Sequence, residues 1–220
     1  MAAAPRIALI HATPVAVEPI QKVLASDWPD AEPFNLLDDS LSPDLARAGE
    51  ISEGLTERIV GLARYARSTG ADGILFTCSA FGSAIATAAR LLDIPVLKPN
   101  EAMFEAAMDQ GSKVAMIVTF APAQASMEAE FAEEAERLGS AARLTSFVAE
   151  GAMAALRAGD APAHHALVAE QARAINGFDA IMLAHFSTAP AAAAVRAAVS
   201  VPILTSPEAA VAKLRRLFRS

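Results

Sequence analysis

Cysteine is almost missing from this 220-residue chain, where Cys78 stands alone. A single thiol cannot close an intramolecular disulfide, nor can it supply a multi-thiolate zinc or iron–sulfur centre. Positive charge is also scarce: 18 Lys and Arg face 25 Asp and Glu, for a net charge of −7. Without a basic surplus there is no counterion release to drive binding to a phosphate backbone, so no nucleic-acid partner is expected. No charge-free apolar run reaches the ~18–20 residues that span a bilayer, so no membrane partner is expected either. Residues 1–10 (MAAAPRIALI) lack a cationic start followed by a long apolar stretch, which argues against a secretory signal and for a cytoplasmic location. No P-loop or G-x-G-x-x-G follows a strand-like run, and no lysine sits in a recognisable pyridoxal-phosphate context; no cofactor and no metal are expected. What the chain does have is apolar mass, 54% of its residues, enough for a sizeable core.

That mass is arranged in short buried-strand runs alternating with longer alanine- and charge-rich stretches. The runs lie at 6–12, 33–38, 71–77, 94–98, 113–119, 142–148, 179–185 and 201–205. Near-continuous hydrophobicity without alternation suits parallel strands covered on both faces. The stretches between them, at 16–26, 53–69, 80–92, 100–110, 122–138, 150–175, 188–198 and 207–218, read as helices. Alternation of this kind predicts α/β architecture built from right-handed crossovers.

The chain also repeats itself at an offset of 107. Arg6-Ile7-Ala8-Leu9-Ile10 matches Lys113-Val114-Ala115-Met116-Ile117, and Asp72-Gly73-Ile74-Leu75-Phe76 matches Asp179-Ala180-Ile181-Met182-Leu183. Ile94-Pro95-Val96-Leu97 matches Val201-Pro202-Ile203-Leu204, and Glu101-Ala102 matches Glu208-Ala209. The period is too long for a solenoid unit. It predicts two homologous lobes, each a four-stranded parallel sheet flanked by helices, related by a pseudo-twofold. The first lobe is expected over 1–98 plus a C-terminal helix at 206–220, the second over 99–205. In open parallel sheets ligands sit beyond the carboxyl ends of the strands, so the site is expected there, between the lobes.

The repeat equates Cys78 with His185, each ending a buried strand and preceding a stretch rich in small residues. A thiol at a helix start feels the positive end of the dipole, and a histidine exchanges protons near neutral pH. Two such groups flanking one molecule suit removal of a proton from one face of a carbon and its return to the other. Two hydrogen-bond-length approaches would separate the reactive atoms by roughly 7–8 Å. A thiolate beside an imidazolium would lower the cysteine's pKa and raise the histidine's.

Substrate-binding candidates are the hydroxyls of Thr13, Thr77, Ser79, Thr119, Ser187 and Thr188, with Phe120 beside them. Helix capping is the competing reading for each hydroxyl. Lys98, His11 and His185 are the only evident cations near the expected cleft. Glu101 and Glu208 begin helices, where the dipole accounts for them. His164-His165, without a third ligand at metal spacing, reads as a solvated helix start.

The two halves, the segment Phe76-Thr77-Cys78-Ser79-Ala80-Phe81-Gly82 and the paired Pro-x-x-x-x-x-Glu-Ala blocks resemble the aspartate/glutamate/hydantoin racemase superfamily. The resemblance implies two α/β lobes with swapped termini and a cofactor-free site between them. It also implies a thiol/thiolate pair, one cysteine per lobe, exchanging the α-proton of a carboxylate substrate. Cys78 matches the first of these; His185 stands where the second is expected, so a two-thiol racemase is excluded. Arylmalonate decarboxylases, relatives of that superfamily, keep a single cysteine, but in the second lobe. Thr13-Pro14-Val15-Ala16-Val17-Glu18-Pro19 resembles the first loop of the decarboxylase and maleate isomerase branch, without its asparagine and serine residues, and Ser79 replaces an asparagine of the amino-acid racemases.

Three functions follow as expectations. The first is a cofactor-independent racemase or epimerase acting next to a carboxylate or carbonyl of a small amino-acid- or hydantoin-like substrate. The second is a malonate-type decarboxylase on the same scaffold. The third is a non-catalytic small-molecule binding protein. The expected partner is a small-molecule substrate, with homo-oligomerisation left open.

Overall fold

A computed structural model describes residues 4–219, apart from the side chain of Pro122. Residues 1–3 and 220, assigned above to the first lobe, lie outside the described residues. The chain divides into two units: one runs to Asn100 and resumes at Ala210, and the other is Glu101–Ala209.

In the first unit β1 (Arg6–His11), β2 (Glu32–Leu37), β3 (Gly73–Phe76) and β4 (Val96–Leu97) form a parallel sheet in the order β2-β1-β3-β4. The connections carry α1 (Val17–Asp27), α2 (Leu41–Ala48), α3 (Glu53–Ser68) and α4 (Gly82–Leu91). Ala8, Ile10, Ile74 and Phe76 point to one face of the sheet and share a core with Ile59 and Ala63 of α3 and Ile85 and Ala88 of α4. Alternate residues Ile7, Leu9 and Leu75 are equally buried on the opposite face. Both faces are covered, and this is why these strands read as unbroken apolar runs. On that opposite face Gly73 admits the Phe218 ring, which would lie 3.1 Å from an added Cβ. Phe218 in turn packs against Trp28, ring centroids 5.7 Å apart.

The second unit repeats the plan. Strands β5 (Lys113–Val118), β6 (Arg143–Val148), β7 (Ala180–Leu183) and β8 (Ile203–Thr205) run parallel in the order β6-β5-β7-β8. Its helices are α5 (Glu101–Met108), α6 (Gln124–Leu138), α7 (Ala152–Arg157), α8 (Ala161–Ala174) and α9 (Ala192–Ala198). The last helix, α10 (Ser206–Leu217), starts in this unit and continues into the first. Ala115, Ile117, Ile181 and Leu183 pack with Val168 and Ala172 of α8 and Val195 of α9. Val114, Met116, Val118 and Met182 pack with Phe104 of α5 and Phe131 of α6.

The 107-residue offset survives at the level of single hydrogen bonds. The Arg6 amide donates to the Asp72 carboxylate at 2.8 Å, and the Lys113 amide to Asp179 at 2.8 Å. The Thr77 amide donates to the Ile10 carbonyl at 3.0 Å, and the Ala184 amide to Ile117 at 2.9 Å.

Three expectations need correction. The helix expected over 150–175 is two helices, because Gly159 at φ 79° and the Asp160-Ala161-Pro162 start signal separate α7 from α8. Helix α2 was not expected at all. And His164 is not at a solvated helix start: it is fully buried, on the stripe of α8 that also carries Val168, Ala169 and Ala172.

Candidate active site

In the first unit the carboxyl ends of β1 and β3 lie side by side, Ile10 pairing with Phe76. The next residues of each strand direction, His11 and Thr77, therefore meet. His11 Nδ1 is 2.8 Å from Thr77 Oγ1, and His11 Nε2 is 2.9 Å from Asn35 Oδ1 on β2. A carbonyl oxygen can only accept, so the His11 proton sits on Nε2 and Nδ1 accepts from the Thr77 hydroxyl. Burial holds His11 below its ordinary pKa, the Asn35 bond opposing that shift. The cation expected at His11 is thus a neutral, hydrogen-bonded imidazole.

Cys78 follows Thr77 directly. It is half-buried, in extended conformation (φ −119°, ψ 119°), and caps a 3₁₀ turn over Ser79–Phe81 that runs on into α4. Ser79 is half-buried in the first position of that turn. Thr13 is used otherwise: its hydroxyl accepts from the Val15 amide at 3.3 Å and caps the turn over Pro14–Ala16. Lys98 is half-buried just past β4.

In the second unit β7 ends at Leu183, and His185 caps a 3₁₀ turn over Phe186–Ala191 that leads into α9. His185 has φ 67° and ψ 149°, the single non-glycine residue with positive φ among the described residues. That region is one that glycine alone occupies easily, and holding another residue there costs of order 1–3 kcal/mol. Its Nε2 is buried with no hydrogen-bond partner, and burial lowers its pKa. This corrects the expectation of a raised value: the resting side chain is neutral.

Thr119 and Thr188 come together, both buried, hydroxyl oxygens 3.3 Å apart. The Thr188 amide donates to the His185 carbonyl at 3.2 Å, closing the turn that His185 opens. Ser187, in the same turn, is half-buried. Phe120 is 39% exposed, and the Arg157 guanidinium lies 5.7 Å from its ring centroid.

Asn35 and Arg157 were not anticipated. Asn35 had one signal, a lone amide in a strand-like run whose neighbours are apolar. Arg157 had none, since its approach to Phe120 depends on where α7 ends. Among the described residues no group of three or more His, Cys, Asp or Glu side chains is placed to hold a metal ion, and no helix is long and apolar enough to cross a membrane. A cavity of about 550 Å³ in the second unit, lined by Arg173, Asn176, Phe178 and Val201 among others, opens at the amino ends of β7 and β8, away from His185.

This architecture is shared with solved structures. Allantoin racemase from Klebsiella pneumoniae superposes with a TM-score of 0.75 at 18% identity, over 98% of this chain and 88% of that one. Picrophilus torridus aspartate racemase gives 0.68 at 15% identity, over 97% and 94%. Glutamate racemase from Francisella tularensis, in complex with D-glutamate, gives 0.67 at 16% identity, over 100% and 82%. At such identities the likeness is one of fold. No curated protein matches the chain in sequence. The profile of the Asp/Glu/Hydantoin racemase family does, over residues 10–176, which takes in the Cys78 turn and the second unit as far as α8 but ends before β7 and His185. The chain belongs to the Asp/Glu/Hydantoin racemase family.

Proposed function

We propose that this protein is a cofactor-independent racemase or epimerase. It moves a proton at a carbon next to a carboxylate or carbonyl of a small amino-acid- or hydantoin-like substrate. Cys78 and His185 are its two acid/base groups. The observation that carries this reading is the occupation of equivalent strand ends by a thiol and an imidazole, within a family of racemases. The neighbours named for allantoin, aspartate and glutamate support the substrate class.

The charge state supports a particular proton route. The route starts from a neutral His185 and a Cys78 that carries its proton. The unpartnered His185 Nε2 takes the α-proton from one face, and the Cys78 thiol returns a proton to the other. The pair is left as imidazolium and thiolate, with the same number of protons, and is then set to convert the opposite enantiomer. Amides opening the turns after Cys78 and His185, with the hydroxyls of Ser79 and Ser187, hold the enolate oxygen.

The test is incubation of each enantiomer of aspartate, glutamate, allantoin and simple hydantoins in deuterated buffer. Deuterium should appear at the α-carbon with inversion and without release of carbon dioxide. Carbon dioxide release from aryl malonates without such exchange would make the protein a decarboxylase. Binding without either would make it a non-catalytic receptor.

A further inference from the structure

The second unit holds an internal control for the first. The register that pairs Leu9 with Asn35 pairs Met116 with Ser146, so Asn35, His11 and Thr77 correspond to Ser146, Val118 and Ala184. The backbone bond is common to both: Thr77 to Ile10 at 3.0 Å, Ala184 to Ile117 at 2.9 Å. The side-chain chain of hydrogen bonds exists only in the first unit. In the second, Ser146 Oγ is buried and has no partner. The residue that follows differs as well: Cys78 is extended, whereas His185 turns to φ 67°.

We propose that His11 is a positioning residue for Cys78, clamping the Thr77 side chain so that the peptide leading to the thiol is held at both its amide and its hydroxyl. The Thr77 hydroxyl lies 2.8 Å from His11 Nδ1 and 3.4 Å from the Ile10 carbonyl, and gives its one proton to the nearer acceptor. Asn35 fixes the ring from behind by accepting the Nε2 proton at 2.9 Å. His11 is fully buried and Thr77 nearly so, so water does not compete for these bonds. The clamp thereby keeps the half-buried thiol at the opening of the Ser79–Phe81 turn, where amide dipoles favour the thiolate.

The inference rests on the role proposed for Cys78, but its test needs no substrate. Cys78 is the only cysteine, so alkylation of the intact protein by iodoacetamide, followed by mass, reports that thiol alone. His11→Val and Thr77→Val should each slow alkylation at pH 7 about fivefold and move the midpoint of its pH profile upward. His11→Asn, whose amide oxygen can accept the Thr77 proton, should stay within about twofold of the parent. Unchanged or faster alkylation in both valine variants overturns the proposal. So does an equal loss in His11→Asn, which would make His11 a packing residue. Thr77→Val keeps the side chain's shape and carries the test if His11→Val does not fold. A parent that alkylates as expected but exchanges no α-proton would remove the racemase reading and leave the clamp standing.

Discussion

The two strand ends that carry Cys78 and His185 occupy equivalent places in two sheets of the same strand order, and they treat their polar groups in opposite ways. In the first unit the polar groups are mutually satisfied: Asn35, His11 and Thr77 form a continuous chain of bonds, and the residue after them is unstrained. In the second unit the equivalents are apolar or orphaned, and the strained backbone is that of His185. A buried nitrogen without a partner and a backbone in a glycine-only region are both unfavourable, so they persist only where the surrounding fold dictates them. Unsatisfied groups of this kind are available to a ligand. The comparison teaches that two units of the same register differ in chemistry: a chain of hydrogen bonds at one strand end, a buried nitrogen without a partner at the other.

The comparison breaks most completely at the two side chains. Cys78→Ala should lower α-proton exchange by about 10²–10⁴-fold, the range that an acid/base group contributes. His185→Ala should leave exchange on one face without inversion, read by mass and chiral chromatography of product formed in deuterated buffer. Equal inversion in His185→Ala and the parent would remove His185 from the mechanism.

Position 185 also separates strain from chemistry. Glycine accepts φ 67° freely and alanine does not, so His185→Gly should be more stable than His185→Ala by about 1–2 kcal/mol in urea unfolding. Both should lose inversion. A difference near zero would mean that the backbone relaxes when the imidazole is removed.

Much of this was legible in the residues, and the rest was hidden for identifiable reasons. The repeat offset matched β1, β3 and β4 to β5, β7 and β8, and short apolar runs marked the edge strands β2 and β6, whose residues are only partly buried. The offset also paired Cys78 with His185 without any knowledge of the fold. Helix α2, only eight residues long and with Pro43 in its first turn, carries too little periodicity to be seen. His164 was misjudged because its polar type outweighed its spacing to Val168 and Ala172, the stripe that buries it. The charge of His11 and His185 was misjudged for the same reason: burial decides it, and burial is a property of packing.

Acid should sharpen the contrast between the units. Burial lowers the pKa of His11 in the first unit and of His164 and His185 in the second. A histidine whose folded pKa lies below its unfolded value near 6.5 contributes nothing above that pH. As pH falls through 6.5 the unfolded chain gains protons first, so stability declines until the folded pKa is reached. Both His164 nitrogens and His185 Nε2 lack partners, whereas His11 has two. Amide protection, taken relative to intrinsic exchange at each pH, should therefore fall more in the second unit between pH 7 and pH 5. His164→Leu should blunt that loss of protection; an equal response in the variant would place the acid sensitivity elsewhere.

The smallest effects test whether the hydrogen-bonded chain, and not merely the polar residue type, distinguishes the units. Asn35→Ala strands the buried His11 Nε2 proton, and an abandoned buried donor costs about 1–3 kcal/mol. Ser146, at the matching register position, makes no bond to lose. Ser146→Ala removes an unsatisfied oxygen without opening a space larger than a hydroxyl, so stability should stay within about 0.5 kcal/mol of the parent or rise slightly. Urea midpoints of the two variants, compared at constant slope, give the difference directly. Similar losses at both positions would mean that Ser146 has a partner in solution, and that the second unit's strand end is better satisfied than its geometry indicates.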